Sequence, residues 1–222
     1  MYAVEADPAC PIRIAMLGGT FDPVHHGHLR SAVELREMLA LDRVHMIPAQ
    51  VPPHRAAPGV TGMARLEMLK AGIGETPGLV ADDREQRRPG ASYSVDTLAS
   101  LRDEFGEQAR LVMALGVDAF LKLAEWHEPE RLFELAHVVV IARPGHSTSP
   151  DRALQALTQG REAADIASLF ATSAGRLLHL RLPSRMDISA TDLRRRLQTG
   201  LSVRYLLPSA VETYIQSHSL YR

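Results

Sequence analysis

Four consecutive β-branched residues, Val138-Val139-Val140-Ile141, constrain the fold of this chain more than any other segment. A strand with one face in solvent alternates apolar and polar side chains, whereas an unbroken apolar run is typical of a strand covered on both faces. Such strands build the parallel sheets that helices flank. We therefore predict a strand at residues 137–142 within a parallel sheet.

Short apolar segments alternate along the chain with segments of helical periodicity. Strands are also predicted at residues 12–17, 44–47, 79–81 and 110–115, and helices at 27–39, 61–71, 94–105 and 132–136. In the second of these helices, Met63, Leu66 and Leu69 are expected to face inward. Strands that alternate with helices form parallel sheets with right-handed crossovers. The expected fold class is α/β, a Rossmann-like open parallel sheet with helices on both faces.

The chain length of 222 residues and a hydrophobic content of 45% suit one core, since single α/β domains commonly reach about 200–250 residues. We expect a single domain at residues 12–222 after a short leader at 1–11. Residues 144–172 are expected to form an exposed loop and one or two helices. Ligands of such sheets bind beyond the carboxyl ends of the strands. The first strand should bring Gly18 to that edge, and the fourth Gly116 and Asp118.

The charge balance and the cysteine content exclude several classes of protein. A formal net charge of -1 gives no long-range field that would attract nucleic acid or anionic lipid. One cysteine cannot form a disulfide within the chain, which fits a reducing compartment. No apolar run reaches the roughly 20 residues of a membrane helix. We expect a cytoplasmic protein that binds neither nucleic acid nor a membrane, and leave open whether it forms a homo-oligomer.

The segment from Gly18 to His28 has the composition of a phosphate-binding turn. Gly18 and Gly19 permit a sharp turn and the close approach of a phosphate to the backbone. His25 and His28 lie at the start of a predicted helix, where their spacing places both on one face. Gly27 leaves room between them, and the helix N-terminus adds N–H groups and partial positive charge. The segment is suited to hold a triphosphate and to stabilise charge on its α-phosphate.

Two other interpretations of these histidines stay open when the residues are taken alone. The pair could bind a metal ion, although no cysteine and no clear third ligand accompanies it. The histidines could also be purely structural. The segment is neither a Walker A loop nor a Gly-x-Gly-x-x-Gly dinucleotide-binding turn, because it lacks the residues of both.

A second candidate anion site lies far downstream. Its sequence is Ile188-Ser189-Ala190-Thr191-Asp192-Leu193-Arg194. Ser189 and Asp192 have the spacing of a helix N-cap pair. Thr191 and Arg194 share one helix face, so that a hydroxyl, N–H groups and a guanidinium can converge on one anion. From the residues alone, a capped helix with solvated arginines is the simpler interpretation.

The two segments resemble the nucleotidyltransferase superfamily, which carries a His-x-Gly-His segment after a Gly-x-Phe-Asp turn. Here the matching residues are Gly19-Thr20-Phe21-Asp22 and His25-His26-Gly27-His28. The resemblance implies that His25 and His28 bind the phosphates of ATP and stabilise a pentavalent transition state, with no covalent intermediate. It also implies that the downstream segment, similar to the superfamily's Ile-Ser-Ser/Thr-Thr-x-x-Arg, holds the β- and γ-phosphates. The implied ATP-binding residues are Gly18, Gly19, Thr20, Phe21, His25, His28, Asp118, Ile188, Ser189, Thr191 and Arg194.

Three further segments resemble bacterial nicotinate mononucleotide adenylyltransferases, and the resemblance runs from residue 12 to 215. They are Pro52-Pro53-His54-Arg55, residues 88–97, and Gly116-Val117-Asp118 with Leu123 and Trp126. The implied nicotinate mononucleotide-binding residues are Gly19, Thr20, Arg55, Tyr93, Ser94, Trp126 and His127. Trp126 would stack on the pyridine ring, its alternative being core packing. Tyr93, Ser94 and the N–H groups around Trp126 and His127 would bind the carboxylate.

Two positions in these segments carry a qualification. Asp118 would accept hydrogen bonds from ribose hydroxyls, with a helix cap as its alternative. Arg55 replaces the lysine of the family, which keeps the positive charge but changes reach and hydrogen-bond geometry.

The resemblance implies that ATP and nicotinate mononucleotide give nicotinate adenine dinucleotide and pyrophosphate. Mg²⁺ is expected to arrive with ATP, held largely by phosphate oxygens and not by a dedicated protein site. One alternative is an adenylyltransferase for another acceptor, such as nicotinamide mononucleotide or phosphopantetheine. A second is a non-catalytic nucleotide-binding regulator on the same fold.

Overall fold

The computed structural model describes residues 11–50, 59–142, 150–184 and 186–222. Within these ranges, six parallel strands form one open sheet in the order β3-β2-β1-β4-β5-β6. The strands are β1 (Arg13–Gly19), β2 (Arg43–Pro48), β3 (Leu79–Ala81), β4 (Arg110–Gly116), β5 (His137–Ile141) and β6 (Leu177–Leu180). The Rossmann-like fold predicted from the sequence is confirmed.

The strand order reverses between β1 and β4, which lie side by side in the middle of the sheet. From β1 the chain proceeds to β2 and β3 on one side, and from β4 to β5 and β6 on the other. Loops that leave the carboxyl ends of β1 and β4 therefore diverge and leave a crevice between them. The turn after Gly19 and the residues after Gly116 border this crevice.

Helices pack on both faces of the sheet. They are α1 (His26–Met38), α2 (Gly62–Ile73), α3 (Arg84–Arg87), α4 (Ser94–Phe105), α5 (Val117–Phe120), α6 (Pro129–Leu135), α7 (Arg152–Thr158), α8 (Ile166–Leu169), α9 (Ala190–Gln198) and α10 (Ser209–Ser217), with a 3-10 turn at Leu123–Glu125. None of the helices in the described ranges is long and apolar enough to cross a membrane.

Successive residues of the central strands supply two separate apolar layers. On β5, Val139 joins the layer that contains α1, α2 and α10. Its neighbours Val138 and Val140 join the layer that contains α4 and α6. All three valines are fully buried, because a strand between two layers of helices exposes neither face. The β-branched run is therefore explained by its central position.

The predicted elements are found, with shifts of one or two residues at most ends. The prediction for α2 was wrong in one respect: Met63 is 59% exposed, and Arg65 is buried beside Leu66 and Leu69. The edge strand β6 was not predicted from the sequence. Its four residues include an exposed His179, which interrupts the apolar pattern.

The described part of residues 144–172 contains two helices, as predicted. The side chain of Asp151 caps α7 by accepting from the N–H of Leu154 at 2.8 Å. Asp165 and Ser168 form a reciprocal capping box at the start of α8. Residues 143–149, and residues 1–10 of the leader predicted at 1–11, lie outside the described residues.

Candidate active site

The turn after β1 depends on Gly19. A Cβ atom at Gly19 would lie 2.9 Å from Cζ of Phe21, a contact too short to exist. A Cβ atom at Gly18 would meet only Cε of Met16, at an ordinary 3.6 Å. Both glycines continue β1, so the sharp turn expected at them begins later, where Phe21 has φ of 48°. Gly19 thus makes room for the Phe21 ring, and the close-packing argument does not extend to Gly18.

His25 and His28 stack on each other at the start of α1. Their ring centroids are 3.6 Å apart, with an interplanar angle of 21°. His25 is buried and occupies the N-cap, where its Nδ1 accepts from the N–H of His28 at 3.4 Å. The edge of Phe21 supports the His28 ring, with 5.0 Å between centroids. The two histidines therefore form one rigid pair at a helix N-terminus, which favours anions.

Gly27 brings the downstream segment close to these histidines. A Cβ atom at this position would lie 3.0 Å from Nδ1 of His25 and 3.5 Å from the carbonyl oxygen of Met186. The first contact is tight, so a side chain at position 27 would crowd the His25 ring, whereas the second is an ordinary van der Waals distance. The chain that leads into α9 therefore passes beside the histidine pair.

The start of α9 differs in part from the prediction. Ser189 occupies the N-cap, but its side chain makes no capping hydrogen bond. Asp192 pairs with Arg195 and Arg196 on its own helix instead. The expected N-cap pair is therefore wrong, because two neighbouring guanidinium groups hold the carboxylate. Ser189 and Thr191 are both exposed.

Arg194 joins the two predicted phosphate-binding segments. Its Nη1 donates to the backbone oxygen of Asp22 at 2.7 Å and lies 3.7 Å from Asp22 Oδ2. Its Nη2 donates to Oγ1 of Thr191 at 3.3 Å. The two segments, 172 residues apart at this contact, thereby meet at the carboxyl end of β1. The Arg194 side chain remains 32% exposed.

Sequence reasoning missed Arg65, whose guanidinium binds a backbone carbonyl of the same turn. This buried guanidinium donates from Nη1 to the Thr20 carbonyl at 2.8 Å and from Nη2 to the Gln50 carbonyl at 3.3 Å. Burial lowers the pKa of Arg65, while the nearby carboxylate of Asp22 raises it. Its position one helical turn before Met68 and Leu69, on the buried face of α2, could have suggested a role, because a buried arginine needs partners.

On the other side of the crevice, Tyr93 and Ser94 begin α4. The Tyr93 ring lies 4.4 Å from the ring of His127, centroid to centroid. Trp126 is half-buried and packs on the apolar layer under α4. The backbone N–H of Trp126 donates to the Leu123 carbonyl at 3.1 Å, which closes the 3-10 turn. The structure thus brings together four residues predicted to bind the nucleotide acceptor, Tyr93, Ser94, Trp126 and His127. The backbone N–H of Trp126 is already bonded, however, and is not available for a carboxylate.

A buried network fixes the loop that leads to Tyr93. Oγ1 of Thr97 donates to Glu85 Oε1 at 2.7 Å, and Arg88 donates to Thr97 and to the Tyr93 carbonyl. Burial raises the pKa of Glu85, although hydrogen bonds from Thr97 and Ser92 oppose the shift. Several residues of the 88–97 segment therefore hold the loop in place and do not face the crevice.

Asp118 is less closely connected to the site. Asp118 is exposed in the first turn of α5, where Gly116 and not Asp118 is the N-cap. Its position after β4 places it at the same sheet edge as the turn after β1. Arg55 lies outside the described residues. Within the described ranges, no three His, Cys, Asp or Glu side chains are grouped as a metal site requires.

Known proteins resemble this chain over its whole length. The cytidylyltransferase-like family model matches residues 16–196. A probable nicotinate-nucleotide adenylyltransferase of Chromohalobacter salexigens is 64% identical over 221 residues, covering 100% of both chains. One of Marinobacter nauticus is 44% identical, covering 92% of this chain and 94% of the relative.

A solved structure shares the fold at low sequence identity. The nicotinic acid mononucleotide adenylyltransferase of Plasmodium falciparum, complexed with NaAD, superposes with a TM-score of 0.70 at 16% identity, covering 95% of this chain and 97% of that one. The fold, the family model and the full-length relative agree: the chain belongs to the nicotinate-nucleotide adenylyltransferase family of cytidylyltransferase-like enzymes.

Proposed function

We propose that this chain transfers the adenylyl group of ATP to nicotinate mononucleotide at the crevice between β1 and β4. The observation that carries the proposal is the contact between Arg194 and Asp22, which unites two anion-binding segments beside the stacked histidines. One segment offers two imidazoles and a helix N-terminus, and the other offers hydroxyls and a guanidinium. A triphosphate is the ligand that spans such a pair of anion sites.

The histidine pair is assigned to the α-phosphate. A phosphate oxygen of nicotinate mononucleotide attacks the α-phosphorus in line, and the bond from that phosphorus to the β-phosphate oxygen breaks. Negative charge builds on the equatorial oxygens and on the departing pyrophosphate. His25 and His28 donate to the first, while Ser189, Thr191 and Arg194 receive the second. Fixed donors of this kind need little rearrangement during the reaction, which is why they accelerate it.

Gly18, Gly19, Thr20 and Phe21 complete the proposed ATP site as the backbone wall after β1, with Ile188 opposite and Asp118 accepting from a ribose hydroxyl. Mg²⁺ enters as part of the ATP complex, held by phosphate oxygens. The metal neutralises charge on the triphosphate, which lowers the repulsion that the attacking phosphate meets.

The acceptor is assigned to the opposite side of the crevice. The N-terminus of α4 at Ser94 supplies N–H groups for the nicotinate carboxylate, and the His127 backbone supplies a further donor. Trp126 and the paired rings of Tyr93 and His127 offer flat surfaces for the pyridine. Gly19 and Thr20 approach the acceptor phosphate, and Arg55 adds positive charge.

The test is pyrophosphate release from MgATP with nicotinate mononucleotide and, separately, with nicotinamide mononucleotide at equal concentration. We expect strong preference for the acid, because an amide cannot supply the negative charge that a helix N-terminus favours. Preference for the amide would contradict the carboxylate site but keep the transfer chemistry. ATP binding without pyrophosphate release for either acceptor, or for phosphopantetheine, would support a nucleotide-binding regulator instead.

A further inference from the structure

The hydroxyl of Tyr221, one residue from the end of the chain, donates to Oδ1 of Asp22 at 2.6 Å. Asp22 is 4% exposed and belongs to the turn beside the histidine pair. Burial and the neighbouring carboxylate raise the pKa of the Tyr221 hydroxyl, so it remains a proton donor at all physiological pH values. The end of the chain is thus bonded to the site across 199 residues.

Asp22 also receives bonds from two other parts of the chain. The N–H of Gly59 donates to its Oδ2 at 3.4 Å. Arg194 binds its backbone oxygen at 2.7 Å and approaches Oδ2 to 3.7 Å. One buried carboxylate therefore connects the phosphate turn, the loop before α2, helix α9 and the chain terminus.

The terminal segment is held firmly enough to position this carboxylate. Leu220 and Tyr221 pack against the apolar layer that contains α10, and the N–H of Leu220 donates to the Ile215 carbonyl at 3.0 Å. Helix α10 in turn packs on α2, whose Arg65 holds the Thr20 carbonyl. The hydroxyl and the turn are thus fixed from the same apolar layer.

We propose that Tyr221 is a positioning residue for ATP binding, which acts by restraining Asp22 and, through it, Arg194. This inference rests on the proposed function, in which Arg194 binds the β- and γ-phosphates. The Asp22 carboxylate competes with the triphosphate for binding to the Arg194 guanidinium. With Oδ1 bonded to Tyr221 and Oδ2 to Gly59, the carboxylate makes only a long ion pair, 3.7 Å from Nη1, and does not take up the hydrogen-bond donors of the guanidinium.

Removing the hydroxyl should release this restraint. In Tyr221→Phe, Asp22 is free to rotate and to shorten its 3.7 Å ion pair with Arg194 to hydrogen-bond distance, because opposite charges attract strongly where one partner is buried. The guanidinium is then drawn away from the phosphates. Losing a hydrogen bond to a charged group changes an equilibrium by about ten- to 150-fold. We expect the Kd and KM for MgATP to rise by this factor, with the KM for nicotinate mononucleotide unchanged.

The experiment measures MgATP binding by calorimetry in the full-length chain, together with steady-state kinetics. Tyr214→Phe is the matched control, since this tyrosine lies in the same terminal segment and its hydroxyl makes no hydrogen bond within the described ranges. A rise in Kd for Tyr221→Phe, absent for Tyr214→Phe, supports the proposal. An unchanged Kd with a lowered melting temperature would overturn it, because the tyrosine would then only stabilise the fold.

A double-mutant cycle with Asp22→Asn tests the route of the effect. If Tyr221 acts through the Asp22 charge, adding Tyr221→Phe to Asp22→Asn should change the Kd for MgATP by less than twofold. An equal rise in both backgrounds would refute the assigned route. Calorimetry needs no acceptor, so failure of nicotinate mononucleotide to react would count against the proposed function alone.

Discussion

Nη1 of Arg194 donates to the backbone oxygen of Asp22 at 2.7 Å, while Nη2 of the same guanidinium donates to Thr191. A planar guanidinium that makes both bonds is held in one orientation. Lysine carries the charge but cannot reproduce this two-sided geometry. We expect Arg194→Lys to raise the KM for ATP about tenfold or more, in line with the loss of charge-assisted hydrogen bonds.

The control for this substitution is Arg195→Lys on the same helix. Arg195 is 59% exposed on its side chain and pairs with Asp192, away from the turn. Its replacement should leave the KM for ATP unchanged, because exposed ion pairs contribute little. Equal KM values for Arg194→Lys and the wild type would contradict a phosphate-binding role.

His28 gives the sharper test of the catalytic pair. His25 caps α1, so its removal would also lower stability, by about 1 kcal/mol for a lost cap. His28 has no such capping role. We expect His28→Ala to lower kcat by about 10²–10³-fold, the usual effect of removing one donor to developing charge. The exposed His218 supplies the control, and His218→Ala should retain full turnover.

For His28→Ala, circular dichroism and melting temperature should stay close to the wild-type values, which separates chemistry from folding. A well-folded variant with undiminished kcat would exclude His28 from the transition state.

The sheet could be predicted from the sequence because its strands are local apolar runs. The helix at Ser94–Phe105 was predicted with its bounds, since Gly106, at φ of 81°, ends the periodic pattern. β6 could not be predicted, because the exposed His179 interrupts its apolar pattern. Patterns within a segment do not specify which distant segment it meets.

The same distinction applies to the site. The histidines and Arg194 lie in segments whose composition indicates anion binding. Arg65 and Tyr221 act through contacts with Thr20 and Asp22 that only the folded chain creates. Asp22 was visible in the motif, but its role as a shared partner depends on four segments that are distant in sequence.

The two glycines after β1 are expected to differ in their tolerance of a methyl group. Gly19→Ala would place Cβ 2.9 Å from the ring of Phe21, which is itself 2% exposed and cannot move into solvent. Overpacking of this kind costs about 1–3 kcal/mol. Gly18→Ala meets only an ordinary contact. We expect a clearly lower melting temperature for Gly19→Ala than for Gly18→Ala, and similar values would contradict the packing argument.

His137 should make the stability of the fold depend on pH. It is fully buried on β5, where Nε2 donates to the Thr172 carbonyl at 3.0 Å and Nδ1 accepts from the N–H of Arg176 at 3.2 Å. This arrangement requires the neutral ring. Burial lowers the pKa of His137 to about 4, and the positive charge of Arg110 contributes.

Because the unfolded chain binds this proton near pH 6.5 and the folded chain only near pH 4, the contribution of His137 is fully present above pH 6.5. This contribution is lost progressively as the pH falls from 6.5 towards 4. One unit of pKa difference corresponds to about 1.4 kcal/mol, so between pH 6.5 and 5 the free energy of unfolding should fall by about 2 kcal/mol from this group. Urea denaturation at both pH values measures the fall, and His137→Gln should remove that part of it. NMR titration of the ring gives a direct check, since protonation of His137 near pH 6.5 in the folded protein would contradict the assigned neutral, doubly bonded ring.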